Sequence, residues 1–150
     1  MTSPAAYAQS YRFRVLIEPA GILEPTFRLD VNRIRVCREE QQALVDGAVY
    51  EVSPAQIFDA NTRLHETIAS CSGNAFILDS LRRLNRIRRL MEYRKAVDRD
   101  QALRRCKEHL TLVDLLLDGQ LEQASDFMRV HLRDAAREKQ GAARPGERTR

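Results

Sequence analysis

Ser53-Pro54-Ala55-Gln56-Ile57-Phe58-Asp59-Ala60-Asn61-Thr62-Arg63-Leu64-His65-Glu66-Thr67-Ile68-Ala69-Ser70 is a helix by its first two residues. Serine supplies an N-cap, and proline suits the first helical position, where its missing N–H costs nothing. The spacing predicts a helix from Pro54 to about Ala69, stopped at Ser72-Gly73. Ile57, Phe58, Leu64 and Ile68 recur at the helical period and mark the face turned to a core. At 100° per residue Asn61 and His65 lie one turn apart on that same face, so an amide and an imidazole point inward with the apolar side chains.

Outward from this helix the chain continues as helix after helix. Asn74 can cap a fourth from Ala75 to about Ala96, and Asp98 a fifth from about Arg99 to Leu117, closed by Asp118-Gly119. A sixth runs from Gln120 to about Lys139. Upstream, Asp30 can cap a second helix over Val31–Val45, ended by Asp46-Gly47, and Ala48–Val52 is a connector. The first helix spans about Ala5 to Phe27, with a kink or break expected where Pro19 and Pro25 interrupt it. Short connections make neighbours mostly antiparallel. The fold class expected is all-α, an antiparallel bundle of about six helices around a central ligand or metal cavity. Residues 1–140 form the one domain, and the small, basic stretch 141–150 is expected to be a disordered tail.

Composition narrows the class. The 150 residues include 43% hydrophobic and 31% charged, enough to bury a core without a disulfide or metal. Six glycines and five prolines argue against a many-stranded β fold. No apolar run approaches the roughly 18 residues of a membrane span, and MTSPAAYAQS has neither the basic nor the apolar part of a secretory signal. Cys37, Cys71 and Cys106 show no CxxC spacing, so a disulfide framework is not expected and a reducing, cytoplasmic setting is. A net charge of +4 permits anionic partners without indicating nucleic acid.

All three histidines face inward. His65 does so on the third helix. His109 sits among Ala102, Cys106, Val113 and Leu116 on the fifth, and His131 among Ala124, Phe127, Met128 and Ala135 on the sixth. Taken singly, each fits a core imidazole satisfied by a hydrogen bond, and Cys106, one turn before His109, fits a packing thiol. Taken together, three buried imidazoles and an amide cost several kcal/mol unless they share a partner. A metal ion is such a partner. Asn61, His65, His109 and His131 would give it three nitrogens and one oxygen, a set suited to zinc, nickel or another first-row divalent ion.

Arg88 falls in the stripe of Ile77, Leu81, Leu84 and Met91, where it needs an anion. Either a protein carboxylate supplies it, or Arg88 clamps a carboxylate ligand. Arg14, one turn before Glu18, has the spacing of a surface ion pair. No Asp or Glu falls inside the apolar stripes that carry the candidate ligands. A bundle metalloenzyme hydrolysing with metal-bound water would want a general base there, so binding is favoured over catalysis. A purely structural interaction module is the third class, and the inward histidines speak against it.

Arg14-Val-Leu-Ile-Glu18-Pro19, Asn61-Thr-Arg-Leu-His65, Ser72-Gly73-Asn74, Glu108-His109 and Met128-Arg-Val-His131-Leu132, in this order, resemble the C-terminal effector-binding (FCD) domain of the FadR-type branch of GntR-family transcription regulators. The resemblance covers about residues 5 to 138. It implies an all-helical bundle whose cavity, in the metal-binding members, holds a divalent ion with a small organic acid beside it. It implies a homodimer serving a winged helix-turn-helix domain at two DNA half-sites. His65, His109 and His131 match three family ligands, while Asn61 stands where the family usually has Asp, which lowers the negative charge of the site. Arg14 and Arg88 are then candidate effector contacts. Ten residues precede Tyr11, too few for the DNA-binding domain, so DNA is expected only through a domain absent from this chain.

Overall fold

The computed structural model describes residues 3–92 and 96–142. Six helices follow one another: α1 (Pro4–Ile22), α2 (Val31–Val45), α3 (Pro54–Ser70), α4 (Ala75–Glu92), α5 (Arg99–Leu117) and α6 (Leu121–Ala142). A single 3-10 turn, Ala48–Tyr50, lies between α2 and α3, and there is no strand among the described residues. The all-α class expected from the sequence is the one observed.

Local chemistry sets the helix starts. Ser53 Oγ accepts from the Gln56 N–H while the Gln56 side chain accepts from the Ser53 N–H, a reciprocal cap that satisfies two otherwise orphan donors. Asp30 and Asp98 cap α2 and α5 through their carboxylates, and Ser3 caps α1. Three ends differ from expectation. α1 stops at Ile22 rather than Phe27, with Pro19 inside it, because the residue before Pro25 is disfavoured in helical conformation. α4 stops at Glu92; Ala96, its expected end, is non-helical, and 93–95 lie outside the described residues. α6 continues past Lys139 to Ala142, into the segment expected as a tail; residues 143–150 lie outside the described residues.

α1 packs chiefly on α6, α2 on α5 and α3 on α4, while α2 also meets α3 and α5 meets α6. The α3–α4 turn is pinned from below: Thr26 Oγ1 donates to the Ser72 carbonyl at 2.5 Å, and Gly73 beside it holds φ +72°, a conformation open to glycine. Two apolar clusters make the core. One contains Ile34, Leu64, Ile68, Leu112, Met128 and Leu132; the other contains Leu44, Val49, Ile57, Ala60, Ala102 and Cys106. Along α3 the first cluster begins at Leu64 and the second ends at Ala60; along α5 the break falls between Cys106 and Leu112. Asn61 and His109 fall in those breaks, and His65 follows Leu64 directly.

Candidate metal centre and ligand cavity

The three histidines come together. His65, His109 and His131 are 3%, 1% and 4% exposed, and a nitrogen from each lies within 4.8 Å of the others. His109 is central: its Nε2 is 3.1 Å from His65 Nε2 and 3.1 Å from His131 Nε2. Nitrogens bound at the usual 2.0–2.1 Å to one zinc ion stand about 3.0–3.4 Å from their neighbours.

Each imidazole is fixed from behind by its other nitrogen. His65 Nδ1 meets Glu18 Oε1 at 2.6 Å, His131 Nδ1 meets Glu108 Oε1 at 2.5 Å, and His109 Nδ1 meets Gln41 Oε1 at 2.9 Å. A carboxylate can only accept, and Gln41 offers its carbonyl oxygen, so all three Nδ1 atoms carry the proton. The three Nε2 lone pairs then face one another. Such an arrangement is repulsive unless a cation sits among them, and an acceptor behind each ring is how metal-ligating histidines are oriented. A proton is a poor occupant. Burial pushes the His65 imidazole down to about 4 in spite of Glu18, and burial together with the neighbouring imidazoles holds His109 well below the ordinary histidine range. The donor set therefore fits a divalent first-row ion.

The two carboxylates are themselves held by arginines. Arg14 Nε donates to Glu18 Oε2 at 2.7 Å, and Arg105 Nη1 lies 3.0 Å from Glu108 Oε1. Arg14 and Glu18 are 5% and 3% exposed, so the spacing of a surface pair belongs here to a buried one. Burial raises the Glu18 carboxyl, but Arg14 and His65 outweigh it and hold the group at about 2. Asn61 lines the same cavity, with its Oδ1 accepting from Gln41 Nε2 at 3.0 Å. Gln41 thereby connects Asn61 to His109.

The cavity measures about 140 Å³ and reaches from the histidines to Arg88. Arg88 is 6% exposed. Its guanidinium carbon lies 5.0 Å from the centre of the Tyr11 ring and 5.5 Å from that of Phe58. It donates to Asn85 Oδ1 at 3.0 Å and to the Tyr11 hydroxyl at 3.3 Å, both neutral acceptors. The nearest carboxylate oxygen, Glu92 Oε1, is 4.0 Å away, and Glu92 already accepts from Tyr7 and from Lys139. Arg88 Nε has no hydrogen-bond partner; Arg105 Nε and Nη1 have none either, but each lies beside a carboxylate, Glu138 Oε1 at 3.5 Å and Glu108 Oε1 at 3.0 Å.

The sequence reading brought together His65, His109, His131, Asn61, Arg14 and Arg88, and all six line this cavity. It missed Glu18, Glu108, Gln41, Tyr11 and Arg105. Gln41 carried a signal: it repeats at helical spacing with Ile34, Cys37 and Leu44, the other buried residues of α2.

Comparison with protein-family models matches residues 9–134 to the FCD domain. Neither the curated proteins nor the solved structures give a match. No helix among the described residues is long and apolar enough to cross a membrane.

Proposed function

The chain belongs to the FCD-domain family, the effector-binding domains of GntR/FadR-type regulators, and on that premise we propose that it senses a small organic acid through a metal ion held at the bundle centre. The ligands are His65, His109 and His131, with Asn61 as a weaker fourth through its amide oxygen; zinc and nickel suit the set. The supporting observation is the one set of three Nε2 atoms that converge while every Nδ1 is tied to an acceptor. When bound, the ion supplies an electrophilic pole for a carboxylate. Arg88 is the second cation that faces the effector, and Arg14 serves by holding Glu18.

The reading favours binding over turnover. The carboxylates around the cavity are engaged: Glu18 and Glu108 with histidine and arginine, Glu92 with Tyr7 and Lys139, Glu138 with Arg104 and Arg105, and Asp98 with the first N–H groups of α5. None is left to act as a general base toward metal-bound water. Occupancy would be passed through a cytoplasmic homodimer to a DNA-reading domain outside these residues.

Elemental analysis after zinc loading tests the ion. About one zinc per chain is expected for the wild type and much less for His109→Ala; two metal-free proteins would end the proposal. Asn61→Asp should tighten zinc binding by adding a carboxylate, and equal or weaker affinity would remove Asn61 from the ligand set. Sedimentation over a range of concentrations tests the dimer, which a monomer at high concentration would refute.

A further inference from the structure

One cavity here has two cationic ends, and only one of them is the metal. At the other end Arg88 lies between α1 and α4, with two hydrogen bonds to neutral groups and Nε to none. A buried guanidinium N–H without an acceptor loses its hydration and gains nothing in return, unless an anion takes it up. Glu92 does not fill the role, because it is 4.0 Å away and shared with Tyr7 and Lys139. With Lys139 at the same end, two cations face one carboxylate, and a single positive charge is left over.

The span between the ends can be read along α3. Phe58 packs on Arg88 and His65 belongs to the metal centre; the step of seven positions from one to the other is two helical turns, about 10 Å. A metal–oxygen bond at one end and a hydrogen bond at the other take up roughly half of that distance. What remains, about 5 Å, suits two carboxylates separated by a short carbon chain. Volume keeps that chain short: a cavity of about 150 Å³ accommodates benzene, and the one here is about 140 Å³.

The geometry points to a dicarboxylate of about four or five carbons as the effector, one carboxylate on the metal and the other on Arg88 Nε–H. This rests on the metal-and-carboxylate reading above and adds to it the second anionic group. The Tyr11 and Phe58 rings hold the guanidinium in place for that group, so the end is organised before the ligand arrives.

The experiment compares ligands that differ at one end only. Zinc-loaded wild-type protein is titrated calorimetrically with succinate, with its half-amide and with butyrate, and likewise with glutarate and its half-amide. A charge-assisted hydrogen bond at a buried site predicts that each diacid binds about ten- to a hundredfold more tightly than its half-amide. In Arg88→Met, which keeps an apolar stem between the two rings, that ratio should fall to near one. Equal binding of diacid and half-amide by the wild type overturns this inference and leaves the metal-bound monoacid standing. Binding of none of the ligands overturns the reading beneath it as well. Should Arg88→Met not fold, the wild-type ratio decides alone.

Discussion

Glu18→Gln separates two jobs that one buried carboxylate performs. Glu18 accepts from His65 Nδ1 at 2.6 Å and from Arg14 Nε at 2.7 Å, and it is 3% exposed. Its carboxyl lies at about 2 against an ordinary 4.5, a difference of about 3 kcal/mol in favour of the ionised folded form. The folded value is the lower one. That stability is therefore present above pH 4.5 and is lost as the pH falls toward 2. Glutamine keeps the shape but removes the charge, which leaves Arg14 buried without a counter-ion. Removing one partner of a buried pair costs about 3–5 kcal/mol, in line with the figure from the carboxyl. The second job is to orient His65, and losing such an acceptor lowers metal affinity about ten- to a hundredfold. The double variant Arg14→Met/Glu18→Gln pulls these apart. It removes the stranded charge, so urea unfolding in the presence of a chelator should recover most of the lost stability. Zinc affinity, measured by competition with a chromophoric chelator, should stay low. A double variant no more stable than Glu18→Gln, or a Glu18→Gln protein with wild-type zinc affinity, would refute the reasoning.

Gln41→Leu should leave His109 Nδ1–H without an acceptor and lower zinc affinity about tenfold; an unchanged competition titration would show that Gln41 does not orient the ring. Metal-free protein should lose stability in acid, because His65 protonates near 4 when folded and near 6.5 when unfolded, so the unfolded chain binds more protons between those values. The loss at pH 5 should be about 2 kcal/mol from His65, with His109 adding in the same direction, and a urea midpoint flat from pH 7 to 5 would contradict it. Gly73→Ala should destabilise by about 2 kcal/mol or more, since its Cβ would stand 2.7 Å from Thr26 Cβ at a φ of +72°. A thermal melt within a degree of wild type would show that the turn can relax.

The α3 register was legible because everything that sets it is local: Ser53, Pro54 and an uninterrupted apolar repeat place Asn61 and His65 on the inner face. The inward placement of His109 and His131 followed from the same periodicity. α1 was misread for the opposite reason. Its buried stripe is polar, running Tyr7, Tyr11, Arg14 and Glu18, whereas Leu16 is 71% exposed. An arginine–glutamate pair one turn apart looks the same in sequence whether it faces water or a histidine. What decides the matter is the packing of α1 on α6 and α3, which no residue of α1 announces. Glu108 escaped likewise: it follows the turn of α5 away from the face of His109, and only the approach of α6 brings His131 to it. The early end of α1 was legible in part, since Pro25 marked a break without fixing its place.

The three imidazoles are fastened across the bundle rather than along it. His65 belongs to α3 and is tied to α1; His109 belongs to α5 and is tied to α2; His131 belongs to α6 and is tied to α5. An ion on all three Nε2 atoms would thus be the hub of a wheel whose spokes end in five of the six helices. Among the described residues α4 sends no hydrogen bond to the histidines, and it reaches the cavity through Asn85, Arg88 and Glu92. The wheel leaves one rim segment unspoked, and a ligand stretched from the hub to Arg88 would supply the missing spoke.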